Sequence, residues 1–157
     1  MQDLIESALK GHNADYIEIR IEDTETTNIS FRGRELDEIG HSTGKGGNVR
    51  VCVKGGWGFA SFNDLDSIRA KVEQAVRQAR MVGNEKTELA DAEPVVAIVP
   101  PHILSDPANV PLSEKHHILE GYLDLLWSGP EIQTSSLRYA DGHRRMFYGN
   151  SHGTYTE

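Results

Sequence analysis

Seven histidines, one cysteine and twenty-four carboxylates are the side chains from which this 157-residue sequence could build a reactive centre. A zinc peptidase of the His-Glu-x-x-His kind needs two imidazoles one helical turn apart with a glutamate beside them, so that both reach one ion from one face. His116 and Glu120 are four apart and His117 is adjacent, which gives a partial ligand pair on a helix. Catalytic zinc takes three protein ligands and no third lies near in sequence, so these residues read as a solvated helix face. His41, His143 and His152 lie beside turns and read as exposed polar side chains. Cys52 alternates with Val51 and Val53 and therefore leaves the other face of a strand. A nucleophile needs a base and an orienting group within hydrogen-bond reach, and spacing supplies neither; Cys52 reads as packing. Gly40 to Gly47 carries the glycines and lysine of a phosphate loop, but three residues rather than four separate Gly40 from Gly44, and glycine follows Lys45. It reads as a flexible hairpin connection. No catalytic, cofactor-binding or metal-ligating residue is assigned in this chain.

The elements that would position these side chains are patterned along the whole sequence. Leu4, Ile5, Ala8 and Leu9 recur at helical spacing, with Gly11 placed to end the helix. From Asp15 to Glu22, Ile17, Ile19 and Ile21 point one way and polar residues the other, which is the period of a half-buried strand. Asp23-Thr24-Glu25-Thr26 reads as a turn into a meander of antiparallel strands from Asn28 to Phe62. In it Ile29 and Phe31 share a face, and Val49, Val51 and Val53 alternate with Arg50, Cys52 and Lys54. Leu36 and Ile39 break the alternation and predict a bulge near Glu38. Gly55-Gly56 reads as the tight turn into Trp57–Phe62.

Asn63 and Asp66 resemble a capping box for a helix carrying Leu65, Ile68, Val72, Ala75, Val76 and Ala79, closed by Gly83. Prolines crowd the segment from Asn84 to Pro111, predicting an extended connection with a short strand at Val95–Val99. A helix from Ser113 to Trp127 comes next, with Ile118, Leu119, Tyr122, Leu123 and Leu126 on one face. Asp141-Gly142 between Ile132–Ala140 and His143–Gly149 is the strongest hairpin signal, and Asn150 to Gly153 marks another turn. The expected fold is α+β: an antiparallel meander with helices on one face over residues 1–93, then a second, smaller α/β subdomain over residues 94–157 that the chain enters without completing.

Sixteen basic against twenty-four acidic residues give a net charge of −8, which speaks against a nucleic-acid surface. The single cysteine permits no internal disulfide, and no apolar run approaches the roughly 18 residues of a membrane span. The amphipathic, acidic N-terminus is unlike a signal peptide, so the expectation is a cytoplasmic protein without nucleic-acid or membrane partners.

The order Gly47, Val49-Arg50-Val51, Gly56, Gly58-Phe59-Ala60-Ser61 and then Asp64-Leu65 resembles the N-terminal domain of the TldD/PmbA family. Ala14 to Arg20 is similar to that family's first strand, and Tyr139 to Gly142 and Asn150 to Gly153 to its central-domain hairpins. The resemblance spans nearly the whole chain but only about the first third of a typical member. It implies a zinc metallopeptidase of peptide maturation or degradation, also described as a modulator of DNA gyrase. Such a protein works as a homo- or hetero-dimer, cutting small or unfolded peptides in an enclosed chamber. The family's zinc is held by a His-Glu-x-x-x-His helix and a later cysteine in the C-terminal half, neither of which is present here. The resemblance therefore implies an N-terminal scaffold and dimerisation fragment, inactive alone, that could meet peptide by strand addition at a sheet edge. The alternative is a stand-alone module regulating a partner such as DNA gyrase or a toxin–antitoxin component.

Overall fold

Alternating isoleucines and valines build the sheet on which everything else rests. The computed structural model describes residues 1–86 and 88–157. Its elements run α1 (Gln2–Leu9), β1 (Tyr16–Arg32), β2 (Glu35–Val53), β3 (Gly56–Phe62), α2 (Ile68–Val82), β4 (Val96–Ala97), α3 (Leu112–Leu126), β5 (Ser136–Asn150) and β6 (Tyr155–Thr156). The strands form one six-stranded sheet in the order β3-β2-β1-β5-β6-β4, so the expected α+β class is what the chain adopts. Among the described residues no helix is long and apolar enough to cross a membrane.

The chain groups into two compact units, and neither is contiguous in sequence. The first comprises Met1–Asp23, Lys45–Pro101 and Arg145–Glu157. Its core joins Ile17, Ile19 and Ile21 of β1 and Val49, Val51 and Val53 of β2 to the buried stripes of α1 and α2. Each fully buried aliphatic side chain of this kind contributes about 1.5–3 kcal/mol. In α2 the stripe is Ile68, Val72, Ala75, Val76 and Ala79, as the helical spacing requires. The cap differs from the capping-box expectation: the Asp64 carboxylate, not Asn63, accepts from the Asp66 backbone N–H and starts a short 3-10 turn before the helix.

β2 and β3 pair antiparallel with Val53 opposite Gly56, which makes Lys54-Gly55 the turn rather than Gly55-Gly56. Both turn residues have positive φ (48° and 79°), the arrangement whose twist suits a two-residue hairpin. Gly56 is needed for another reason. A Cβ there would strike the Ala79 carbonyl and the Gly83 backbone, and one at Gly58 would strike the Ala75 carbonyl. The two glycines let β3, the last strand on its side of the sheet, lie directly on the backbone of α2. The Phe59 N–H of that strand donates to Gln78 Oε1 of α2 at 3.0 Å. At the opposite end, β4 pairs parallel with β6, inside the predicted Val95–Val99 strand.

The second unit comprises Thr24–Gly44 and His102–Arg144. Here three sequence expectations fail together. Asp23 to Thr26 is not a turn, because β1 runs unbroken from Tyr16 to Arg32. Thr24 Oγ1 donates to the Gly44 carbonyl at 3.1 Å and Thr26 and Ser42 hydroxyls meet at 2.7 Å, so cross-strand partners hold these residues extended. Gly40 to Gly47 is correspondingly part of β2 and not a hairpin connection. Asp141-Gly142 lies inside β5, which runs from Ser136 to Asn150. The turn into β2 is instead at Gly33, with φ +63° and its N–H given to the Ser135 carbonyl. A small core of Ile29, Phe31, Leu119 and Leu123, with Trp127, Leu137 and Tyr139 against it, seats α3. That helix buries a narrower face than its apolar pattern predicts: Lys115, Leu119 and Leu123 are buried, while Ile118, Tyr122 and Leu126 are exposed.

Candidate functional site

The second unit contains a cavity of about 300 Å³ whose floor is an ion pair. Lys115, one turn before Leu119 on the buried face of α3, is only 5% exposed. Its Nζ lies 2.7 Å from Asp141 Oδ2. Asp141 is turned inward by its place in β5 and also accepts the Tyr139 hydroxyl at 2.6 Å. Burial by itself would raise the Asp141 carboxyl. The hydrogen bond from Lys115, those from Tyr139 and Thr27 and the ammonium charge together outweigh burial and hold the carboxyl below its ordinary value. The same bond to Asp141, with burial adding, pushes the Tyr139 hydroxyl up to about 12. Two charges out of water are tolerable only when paired and hydrogen-bonded in this way.

Apolar and acidic groups complete the cavity. Its walls include Ile103, Pro107, Ala108, Val110 and Leu112, and Glu25 and Asp106 stand among its polar residues. Asp106 also accepts from the Ala108 N–H, fixing the short 3-10 turn Pro107–Asn109 that carries part of the wall. His41 and His143 line the cavity as well. They come from strands where the sequence pattern predicts turns, and both remain exposed, as expected.

A second polar cluster occupies the face of the first unit's sheet opposite the helices. The Tyr16 hydroxyl lies 2.9 Å from both Glu18 Oε2 and the Tyr148 hydroxyl, and Arg50 Nη1 donates to Glu18 Oε1 at 3.0 Å. Arg50 also lies over the Trp57 ring, 4.9 Å from its centroid. Burial, then hydrogen bonds to Tyr148 and Glu18, raise the Tyr16 hydroxyl far above the ordinary tyrosine value. His152 sets its ring edge-on to Tyr16 at 5.1 Å, beside the Asn150 turn that the sequence predicts. These groups satisfy one another, so the cluster is a support for the sheet.

The remaining residues singled out by type are not brought together. His116 Nδ1 is 3.6 Å from Glu120 Oε2 and its ring lies against Phe31, while His117 is 86% exposed. Cys52 is fully buried on the face away from the valines. Among the described residues no three His, Cys, Asp or Glu side chains converge as metal ligands would. The sequence pattern as read above does not single out Lys115, and it names Asp141 only as a hairpin residue and not as a site residue. The signal for Lys115 is nevertheless there, since residues 115, 119 and 123 share one helical face.

Comparison with known proteins places this fold. A family model described as PmbA/TldA metallopeptidase domain 1 matches residues 17–79. A metalloprotease of Synechocystis sp. is 38% identical over 146 residues, covering 92% of this chain and 32% of its own length. A metalloprotease of Methanocaldococcus jannaschii is 27% identical, over 91% of this chain and 33% of its own. Among solved structures, TldE from Thermococcus kodakarensis superposes with a TM-score of 0.80 at 16% identity, over 99% of this chain and 35% of that one. A candidate modulator of DNA gyrase from Bacteroides thetaiotaomicron gives 0.79 at 18%, over 98% and 36%. The chain thus spans about a third of the length of the relatives it matches. The matched stretch contains the glycines that seat β3 on α2 and, from the first unit's core, Ile17, Ile19, Ile21, Val49, Val51 and Val53, and the chain belongs to the PmbA/TldD family.

Proposed function

We propose that this chain is the N-terminal scaffold and dimerisation part of a TldD/PmbA-type zinc metallopeptidase that matures or degrades peptides in the cytoplasm, with its zinc held by polypeptide outside these residues. The observation that carries this reading is the 38% identity along 92% of the chain to a metalloprotease of which the match makes up only 32%. Among the described residues no set of side chains fits a zinc centre. The nearest imidazole–carboxylate pair, His116 and Glu120, lacks a third ligand among the described residues, and catalytic zinc takes three. The chain's own contribution is then a sheet-and-helix scaffold and surfaces for peptide and partner subunit.

The test compares these 157 residues with the same residues extended by the downstream reading frame, each titrated with zinc and assayed on unfolded peptides. The extended protein is expected to take up zinc and turn over peptide, and the 157 residues to do neither. Tight zinc uptake with turnover by the shorter chain alone would overturn the proposal.

A further inference from the structure

We infer that the cavity of the second unit is a peptide subsite, receiving an apolar side chain flanked by basic residues, with a main-chain carbonyl of that peptide accepting from Lys115 Nζ. This deepens the metallopeptidase reading and rests on it for its biological sense.

The floor offers donors. An ammonium has three N–H groups, and the Asp141 carboxylate meets the Lys115 ammonium through one oxygen. Asp141 is itself supplied by Lys115, Tyr139 and Thr27, so the unspent hydrogen-bonding capacity at the bottom of the cavity is on the lysine. The walls are aliphatic, and about 300 Å³ accommodates a leucine or phenylalanine side chain with part of its backbone. The electrostatics choose between ligands. Glu25, Asp106 and Asp141 bring three carboxylates against the single ammonium of Lys115. A free carboxylate or phosphate would meet a net negative cavity, whereas a neutral carbonyl with cationic neighbours meets a complementary one. A buried donor lining the cavity also penalises any occupant that cannot accept from it.

The experiment titrates this chain with three blocked peptides, acetyl-Lys-Phe-Lys-amide, acetyl-Glu-Phe-Glu-amide and acetyl-Lys-Ser-Lys-amide, and monitors backbone amide shifts by NMR. The first peptide is expected to shift the amides of Thr27, Ala108 and Leu112, and to bind more weakly as salt rises. The other two are expected to bind about tenfold more weakly or not at all. Ala108→Trp should fill the cavity and abolish the shifts without touching the ion pair, and Glu25→Lys should weaken binding about two- to fivefold, the scale of one exposed charge pair. Lys115→Met should lose binding too; where that variant fails to fold, Ala108→Trp decides. Equal binding of the glutamate peptide, or binding undiminished by Ala108→Trp, would overturn the subsite. Its failure leaves the peptidase reading standing if the extended protein still cleaves, and binding without any cleavage by the extended protein would sink that reading alone.

Discussion

Lys115 and Asp141 hold each other at the floor of the second unit's cavity, and removing either leaves the other charged, largely buried and without its partner. Lys115→Met is therefore expected to cost about 3–5 kcal/mol in urea denaturation. The double variant Lys115→Met, Asp141→Asn should recover part of that loss, because no buried charge then remains. Acid should act on the same pair. The Asp141 carboxyl titrates below its ordinary 3.8 in the folded chain, so its stabilising contribution is complete above that value and disappears as pH falls through the lowered one. Tyr139 carries the opposite sign: its contribution is complete below pH 10 and is lost as pH rises towards about 12. Thermal unfolding of Asp141→Asn should accordingly be flatter below about pH 4 than that of the parent; equal slopes would mean that the pair contributes nothing to acid sensitivity.

Between elements, the closest approach is that of β3 on α2, permitted by Gly56 and Gly58. Gly58→Ala should destabilise by about 1–3 kcal/mol through overpacking against the Ala75 carbonyl, measured as a lower urea midpoint at unchanged slope. A neutral result would show that the helix can move aside. Elements with strict apolar periodicity were legible in the sequence: Ile17, Ile19 and Ile21, the valines from Val49 to Val53, and the α2 stripe are all buried where period two or 3.6 puts them. Turn chemistry misled where distant partners outbid it. Asp141-Gly142 has the composition of a hairpin, yet Lys115, far away in sequence, fixes the aspartate in a strand. Thr24 and Thr26 are likewise held extended by β2. The cavity was illegible for the same reason, since His41, Lys115 and His143 come from three separate segments.

For the molecule as a whole, the glycine-punctuated order that resembles the TldD/PmbA N-terminal domain was the most informative part of the sequence, and the family match covers that stretch. Composition alone indicated an acidic chain and nothing of its parentage. On the proposed reading, the protein extended by its downstream reading frame sediments as a dimer in analytical ultracentrifugation. A monomer at micromolar concentration would remove the dimerisation role while leaving the scaffold role intact.

The Gln78 amide that takes the Phe59 N–H also bears on how the protein behaves in crowded solution. An outermost strand with free backbone donors is a template onto which further chains can stack into fibrils. By supplying that donor with a side-chain oxygen from its own helix, the fold blunts the template at the middle of the strand and favours dispersed molecules over insoluble assemblies.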